Sequence, residues 1–165
     1  MDFRIEPRPY DDAVVQRLVE EVQAEYVRRY GGPDAAAVAP GEFEPPKGLF
    51  LVGLLDGAPS VTGGWRFIAE DTVEIKRMYV VEHARRRGLA RRMLSELEDS
   101  AAAAGATRVV LNTGDQQPEA IALYESAGYL GIDGFGHYAC APGAVFYGKQ
   151  LGVDTGDFPV QRAVQ

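Results

Sequence analysis

The chain has 165 residues, 46% hydrophobic and 25% charged, with a formal net charge of -7. That length fits one domain with a substantial core, and the acidic balance argues against a nucleic-acid binder, whose affinity rests on neutralising phosphates. No apolar run approaches the roughly 18 residues of a membrane span, and the charged, proline-containing start MDFRIEPRPYDDA lacks the apolar stretch of an export signal.

A lone Cys140 fits a reducing cytoplasm and reads as a buried thiol. Only two histidines, His83 and His137, are present, and no Cys/His cluster has metal-ligand spacing, so no metal is expected.

In chain order, Phe3 and Ile5 alternate with polar neighbours in a first strand. From Asp11 to about Tyr30, Val14, Val15, Leu18, Val19, Val22, Tyr26 and Val27 recur at helical spacing. Asp11 or Asp12 caps the start, and Arg28 and Arg29 suit the C-terminal end. The stretch GGPDAAAVAPGEFEPPKG reads as a loop too long for a simple connector, and such loops often bind ligands. LFLVGLLDG, PSVTGGWRFIAED and TVEIKRMYVV follow as three strands in an antiparallel meander, the first ending in an Asp-Gly turn. Leu89 to Ala104 forms a helix with Leu89, Ala90, Met93, Leu94, Leu97 and Ala101 on one face, stopped by Gly105. TRVVLNT is a short buried strand, and QPEAIALYESAGY is a helix with Pro118 in its first turn and Gly128 at its end. HYACAPGAVFYGKQL closes the chain with one or two strands. The order is β-α-βββ-α-β-α-ββ, a mixed α/β sheet, with one domain over 1–151 and a tail over 152–165.

HARRRGLARR, residues 83 to 92, concentrates five arginines in this acidic chain. The strand EIKRMYV turns through it directly into a helix, which places Arg85–Ala90 at a helix N-terminus. Unpaired N–H groups and the helix dipole favour an anion there. Gly88 permits close approach of a phosphate to the backbone, Ala90 does not obstruct it, and the arginines add charge-assisted bonds. The pattern is neither a Walker A loop nor a G-x-G-x-x-G fingerprint. Local positive charge in an acidic chain selects a small anionic ligand over a polyanion.

VEIKRMYV, RRRGLARRMLSELEDSA and VVLNTGDQQPEAIALYESAGY together resemble the GNAT superfamily of acetyl-CoA-dependent N-acetyltransferases, over about Val73 to Tyr129. Arg85, Gly88 and Ala90 match its Q/R-x-x-G-x-G/A loop. The resemblance implies a central, mostly antiparallel sheet with a splayed strand pair and helices on both faces. It implies acetyl-CoA as co-substrate, with the amides of Arg86, Arg87, Gly88, Leu89 and Ala90 around the pyrophosphate. The backbone of Met78 and Val80 would line the pantetheine arm. Two positions depart from the family: Glu82 replaces a common proline, and Gln117 replaces an asparagine that contacts pantetheine.

Acyl transfer to an amine needs a base, stabilisation of the carbonyl oxygen and an acid for the leaving thiolate. Ile75, Met78 and Val80 break strict alternation, and a bulge near Lys76–Arg77 would return them to one face. A splayed, bulged strand leaves an N–H free to face the thioester, and Val80 is the candidate donor. Glu74 falls on the opposite face, towards the acceptor, and matches the family's general base. Tyr124 matches the tyrosine that protonates the coenzyme A thiolate. Glu42 and Glu44 of the long loop suit a cationic acceptor. The residues leave a homodimer open. The alternatives are a binding module that holds acyl-CoA without turnover and, further off, a nucleic-acid-binding domain.

Overall fold

The computed structural model describes residues 2–36 and 38–152; most of the 152–165 tail therefore lies outside the described residues. β1 (Phe3–Pro7), α1 (Ala13–Tyr30), β2 (Gly48–Leu55), β3 (Ala58–Phe67), β4 (Thr72–Val80), α2 (Leu89–Ala103), β5 (Arg108–Gly114), α3 (Pro118–Ser126), β6 (Leu130–Gly131) and β7 (Ala144–Gln150) follow the order read from sequence. One seven-stranded sheet runs β1-β2-β3-β4-β5-β7-β6. Every pairing is antiparallel except β4 with β5.

Local chemistry sets these boundaries. Asp12 caps α1, its Oδ2 accepting the Val14 N–H at 2.9 Å, and Gly31 closes it in the left-handed region at φ 83°. Asp56 and Gly57, both at positive φ, make the two-residue turn between β2 and β3. Of the expected α1 face, Val15, Leu18, Val19 and Val22 are buried, whereas Val27 is exposed.

The helices cover opposite faces. α1 reaches β4 through Glu21, which accepts from the Tyr79 hydroxyl at 3.2 Å. α2 reaches β3 through Ser100, which accepts from the Trp65 indole at 2.9 Å. α3 shares the α2 layer: Arg91 donates to the Ser126 hydroxyl, and Tyr129, just past α3, donates to Glu98 at 2.8 Å. Beneath α1, Tyr10, Phe43 and Phe50 form an aromatic cluster with centroids 4.9–5.5 Å apart.

Of the one or two strands expected over 137–151, one is present, β7; residues 136–143 before it form a 3₁₀ turn (Gly136–Tyr138) and further turns, and the penultimate strand is the two-residue β6 upstream. Pro142 and Gly143 keep this stretch out of a ladder. Cys140 lies in it and is exposed, which corrects the expectation of a buried thiol.

Candidate active site

β4 and β5 pair only from Thr72 to Glu74 against Arg108 to Val110, then diverge. From Ile75 to Val80 the β5-facing edge of β4 has no strand partner, and a gap opens in mid-sheet. β4 is bulged within this stretch. Thr62 faces Tyr79 and Gly64 faces Lys76, so Gly63 alone opposes both Arg77 and Met78, and Arg77 takes φ 61°. The extra residue resets the side-chain alternation. Glu74, Lys76, Arg77 and Tyr79 serve the α1 side, while Ile75, Met78 and Val80 serve the α2 side, as the broken periodicity requires. Gly63 makes room for it: a Cβ there would lie 2.7 Å from Leu97 Cδ1 and 2.9 Å from Met78 Sδ.

The backbone directions follow. The Val81 N–H donates to Ser60 O of β3 at 2.9 Å, so the Val80 carbonyl on the other side of that peptide faces away from β3. In extended backbone a residue's N–H and C=O point to the same side, which turns the Val80 N–H into the gap. The Arg77 carbonyl accepts the Thr62 hydroxyl at 2.8 Å, and the Met78 N–H is turned outward by the same logic.

At the mouth of the gap the chain makes a 3₁₀ turn at Glu82–Ala84, passes Arg86 at φ 67° and Gly88 at φ 77°, and enters α2. The first helical bond runs from the Arg92 N–H to Gly88 O at 3.2 Å. Among the described residues, the N–H groups from Arg86 to Arg91 donate to nothing. With the dipole of a 15-residue helix behind them, they form an anion cradle. Arg86 and Arg87 are exposed beside it; Leu89 contributes only its amide, since its side chain is buried. Ala90 is half-buried in the first turn, and Gln117 stands at the N-cap of α3 without a side-chain hydrogen bond to that helix.

Arg85 departs from the sequence expectation. Its guanidinium turns inward, donating through Nε to Val80 O at 2.9 Å and through Nη2 to Glu25 of α1 at 3.1 Å. Its own N–H donates to Glu82 O. The exposed cations beside the unpaired amides are Arg86 and Arg87.

Tyr124 sits on α3, 5% exposed, its ring 5.6 Å from that of Tyr129 and 6.3 Å from that of Tyr147. Its hydroxyl makes no hydrogen bond among the described residues, an uncommon state for a buried phenol. Burial first, and then the Tyr26 phenol of α1, raise its pKa well above the ordinary tyrosine value.

Glu74 is 6% exposed on the α1 side. Its Oε1 accepts from Arg66 Nη2 at 3.1 Å and Nε at 3.3 Å, and Arg66 Nη1 also donates to Glu42 at 2.9 Å. Glu42 further accepts the Ala39 N–H at 2.8 Å. Glu42 of the long loop is thus paired with Arg66, and Glu44 is exposed.

Deeper on this side, Asp34 Oδ2 accepts from Arg77 Nη1 at 2.5 Å and Lys76 Nζ at 3.0 Å. Its Oδ1 accepts from the Tyr138 hydroxyl at 2.8 Å and the Ala36 N–H at 2.9 Å. Burial opposes the Asp34 charge, yet Lys76, the Ala36 N–H and Arg77 hold its carboxyl well below the usual range. Asp34 and Arg66 were not singled out from sequence. Charged residues at 76 and 77 inside an apolar strand were the available signal.

His83 and His137 are exposed. Among the described residues, no group of three or more His, Cys, Asp or Glu side chains could hold a metal ion, and no helix is long and apolar enough to cross a membrane.

Comparison with known proteins agrees with this geometry. A family model described as the acetyltransferase (GNAT) family matches residues 15–129. An IAA acetyltransferase of Azospirillum brasilense is 35% identical over 147 residues, covering 87% of this chain and 94% of that protein. A Klebsiella pneumoniae protein assigned as an acyl-CoA N-acyltransferase superposes with a TM-score of 0.76 at 26% identity, covering 90% of this chain and 97% of that one. A Salmonella typhimurium protein assigned as an acetyltransferase, solved with its cofactor acetyl-CoA, gives 0.67 at 19% identity, covering 93% and 96%. The family model spans more than half of the chain and the Azospirillum relative matches most of it: the chain belongs to the acetyltransferase (GNAT) family.

Proposed function

We propose that this protein moves the acetyl group of acetyl-CoA directly to an amine acceptor, a small molecule or a peptide, while both are bound. The observation that carries the proposal is the row of unpaired amides from Arg86 to Arg91 at the mouth of the gap between β4 and β5. The residues present fit coenzyme A: a diphosphate meets N–H groups and two exposed arginines, and an extended arm meets the free edge of β4. Acetyl-CoA supplies the acyl group as an activated thioester.

Within that reading the chain's own groups divide the work. The Val80 N–H stabilises charge developing on the carbonyl oxygen. Glu74, on the acceptor side, takes the amine proton through Oε2, directly or through one water, while Arg66 occupies Oε1. Tyr124 returns a proton to the departing thiolate: its high pKa keeps it protonated, and its hydroxyl is bonded to no described residue.

Two measurements test this. Coenzyme A should raise the melting temperature, because a ligand specific to the native state adds about 2.7 kcal/mol at a hundredfold excess over Kd. An amine panel with acetyl-CoA, followed by free thiol release, should then reveal turnover. Stabilisation with no turnover on any amine would favour the acyl-CoA-binding module.

A further inference from the structure

Arg85 lies in the segment that the sequence assigns to phosphate, yet it grips the protein's own backbone. The peptide between Val80 and Val81 is held from both sides: its N–H donates to Ser60 O at 2.9 Å, and its carbonyl accepts from Arg85 Nε at 2.9 Å. A peptide bonded at both ends cannot rotate without losing one bond, which anchors the Val80 carbonyl towards the gap, and the extended backbone of β4 keeps the Val80 N–H on that same side. Arg85 is itself aimed by Glu25, whose Oε1 and Oε2 accept from Nη2 at 3.1 and 3.4 Å. The guanidinium also lies over the Tyr79 ring, 5.7 Å from its centroid. Tyr79 in turn donates to Glu21, one helical turn before Glu25. Arg28 and Arg29, at 3.3 Å each, complete the shell around Glu25, which is 17% exposed. Burial opposes the Glu25 charge, but the Arg85 hydrogen bond and charge, followed by the Arg29 charge, keep it ionised below its ordinary pKa.

We propose that Glu25 of α1 is a positioning residue for acyl transfer: through Arg85 it locks the Val80 backbone so that the Val80 N–H stays aimed at the thioester carbonyl. The inference rests on the reading of the chain as an acetyl-CoA-dependent transferase. It separates the arginines by task, Arg86 and Arg87 beside the phosphates and Arg85 holding the strand.

The test uses the full chain with acetyl-CoA carrying ¹³C at the thioester carbonyl, alongside calorimetric titration with coenzyme A. A hydrogen bond from Val80 moves the bound carbonyl resonance downfield. Glu25→Gln should lose at least half of that displacement while its coenzyme A affinity stays within threefold of wild type. Arg85→Lys, which keeps the charge but lacks the two-pronged donor, should show the same loss and guards against a fold defect in the first variant. Full displacement in both variants overturns the inference. Coenzyme A binding more than threefold tighter in Glu25→Gln also overturns it, by revealing Arg85 as a phosphate ligand that Glu25 restrains. Wild-type protein that binds coenzyme A with no carbonyl displacement removes Val80 as donor and the inference with it. Wild-type protein that binds neither molecule overturns the underlying reading, and that result is visible before any variant is made.

Discussion

Asp34 and Arg77 meet at 2.5 Å across 43 residues of sequence, the carboxylate from the loop after α1 and the guanidinium from the bulge of β4. The contact explains how an arginine persists at φ 61°, a backbone region that costs a non-glycine residue about 1 kcal/mol or more. Asp34 also accepts from Tyr138, and so joins three segments on the α1 side of the sheet.

Asp34→Ala would leave Lys76 and Arg77 buried without their shared counter-charge. We expect a loss of about 3–5 kcal/mol at neutral pH, the range for breaking a buried ion pair. The native carboxyl has a depressed pKa, so its contribution is complete above the unfolded value of about 3.9 and declines as pH falls below it. Denaturant titrations should therefore show a constant gap between wild type and variant above about pH 5, narrowing under acid conditions.

Gly88→Asp should abolish coenzyme A binding while the fold survives. A Cβ at Gly88 meets nothing within 4 Å, so packing does not oppose the change. The penalty comes from φ 77° and from a carboxylate beside the phosphate-binding amides. Calorimetric affinity within threefold of wild type would move the diphosphate site elsewhere.

Tyr124→Phe deletes a hydroxyl that bonds to no described residue, so melting temperature and coenzyme A affinity should hold. Loss of the proton donor should lower kcat on the order of 10²-fold. An unchanged kcat, with chemistry shown to be rate-limiting, would reduce Tyr124 to a core residue.

Glu74→Gln keeps the shape but accepts no proton, and it weakens the charged partner of Arg66. Its kcat/KM defect should shrink as pH rises, because the free amine then forms without assistance. A defect flat with pH would recast Glu74 as an acceptor-binding group.

The element order, the α1 and α2 caps and the bulge of β4 were legible because each leaves a local imprint: a periodicity, a capping residue, a broken alternation. Ile75, Met78 and Val80 announced the bulge by their spacing alone. The partners of Glu74, Arg77 and Arg85 left no such imprint. Arg66, Asp34 and Glu25 lie 8, 43 and 60 residues from them in sequence and are brought in only by the sheet and by the packing of α1. The sequence pattern assigned Arg85 to the phosphates without access to the inward contacts it makes with Val80 and Glu25. Over 137–151 it left one or two strands open, and the Pro142–Gly143 break leaves room for one, β7.

Only three residue pairs fasten β4 to β5, Thr72 to Glu74 against Arg108 to Val110. Mechanically the sheet is two leaves sewn at one corner, with β1–β4 on one leaf and β5–β7 on the other. An extended ligand lying along the free edge of β4 would act as a removable spine between them. On the proposed reading, occupancy and stiffness would rise together, and loss of the ligand would return the gap to its three-pair seam.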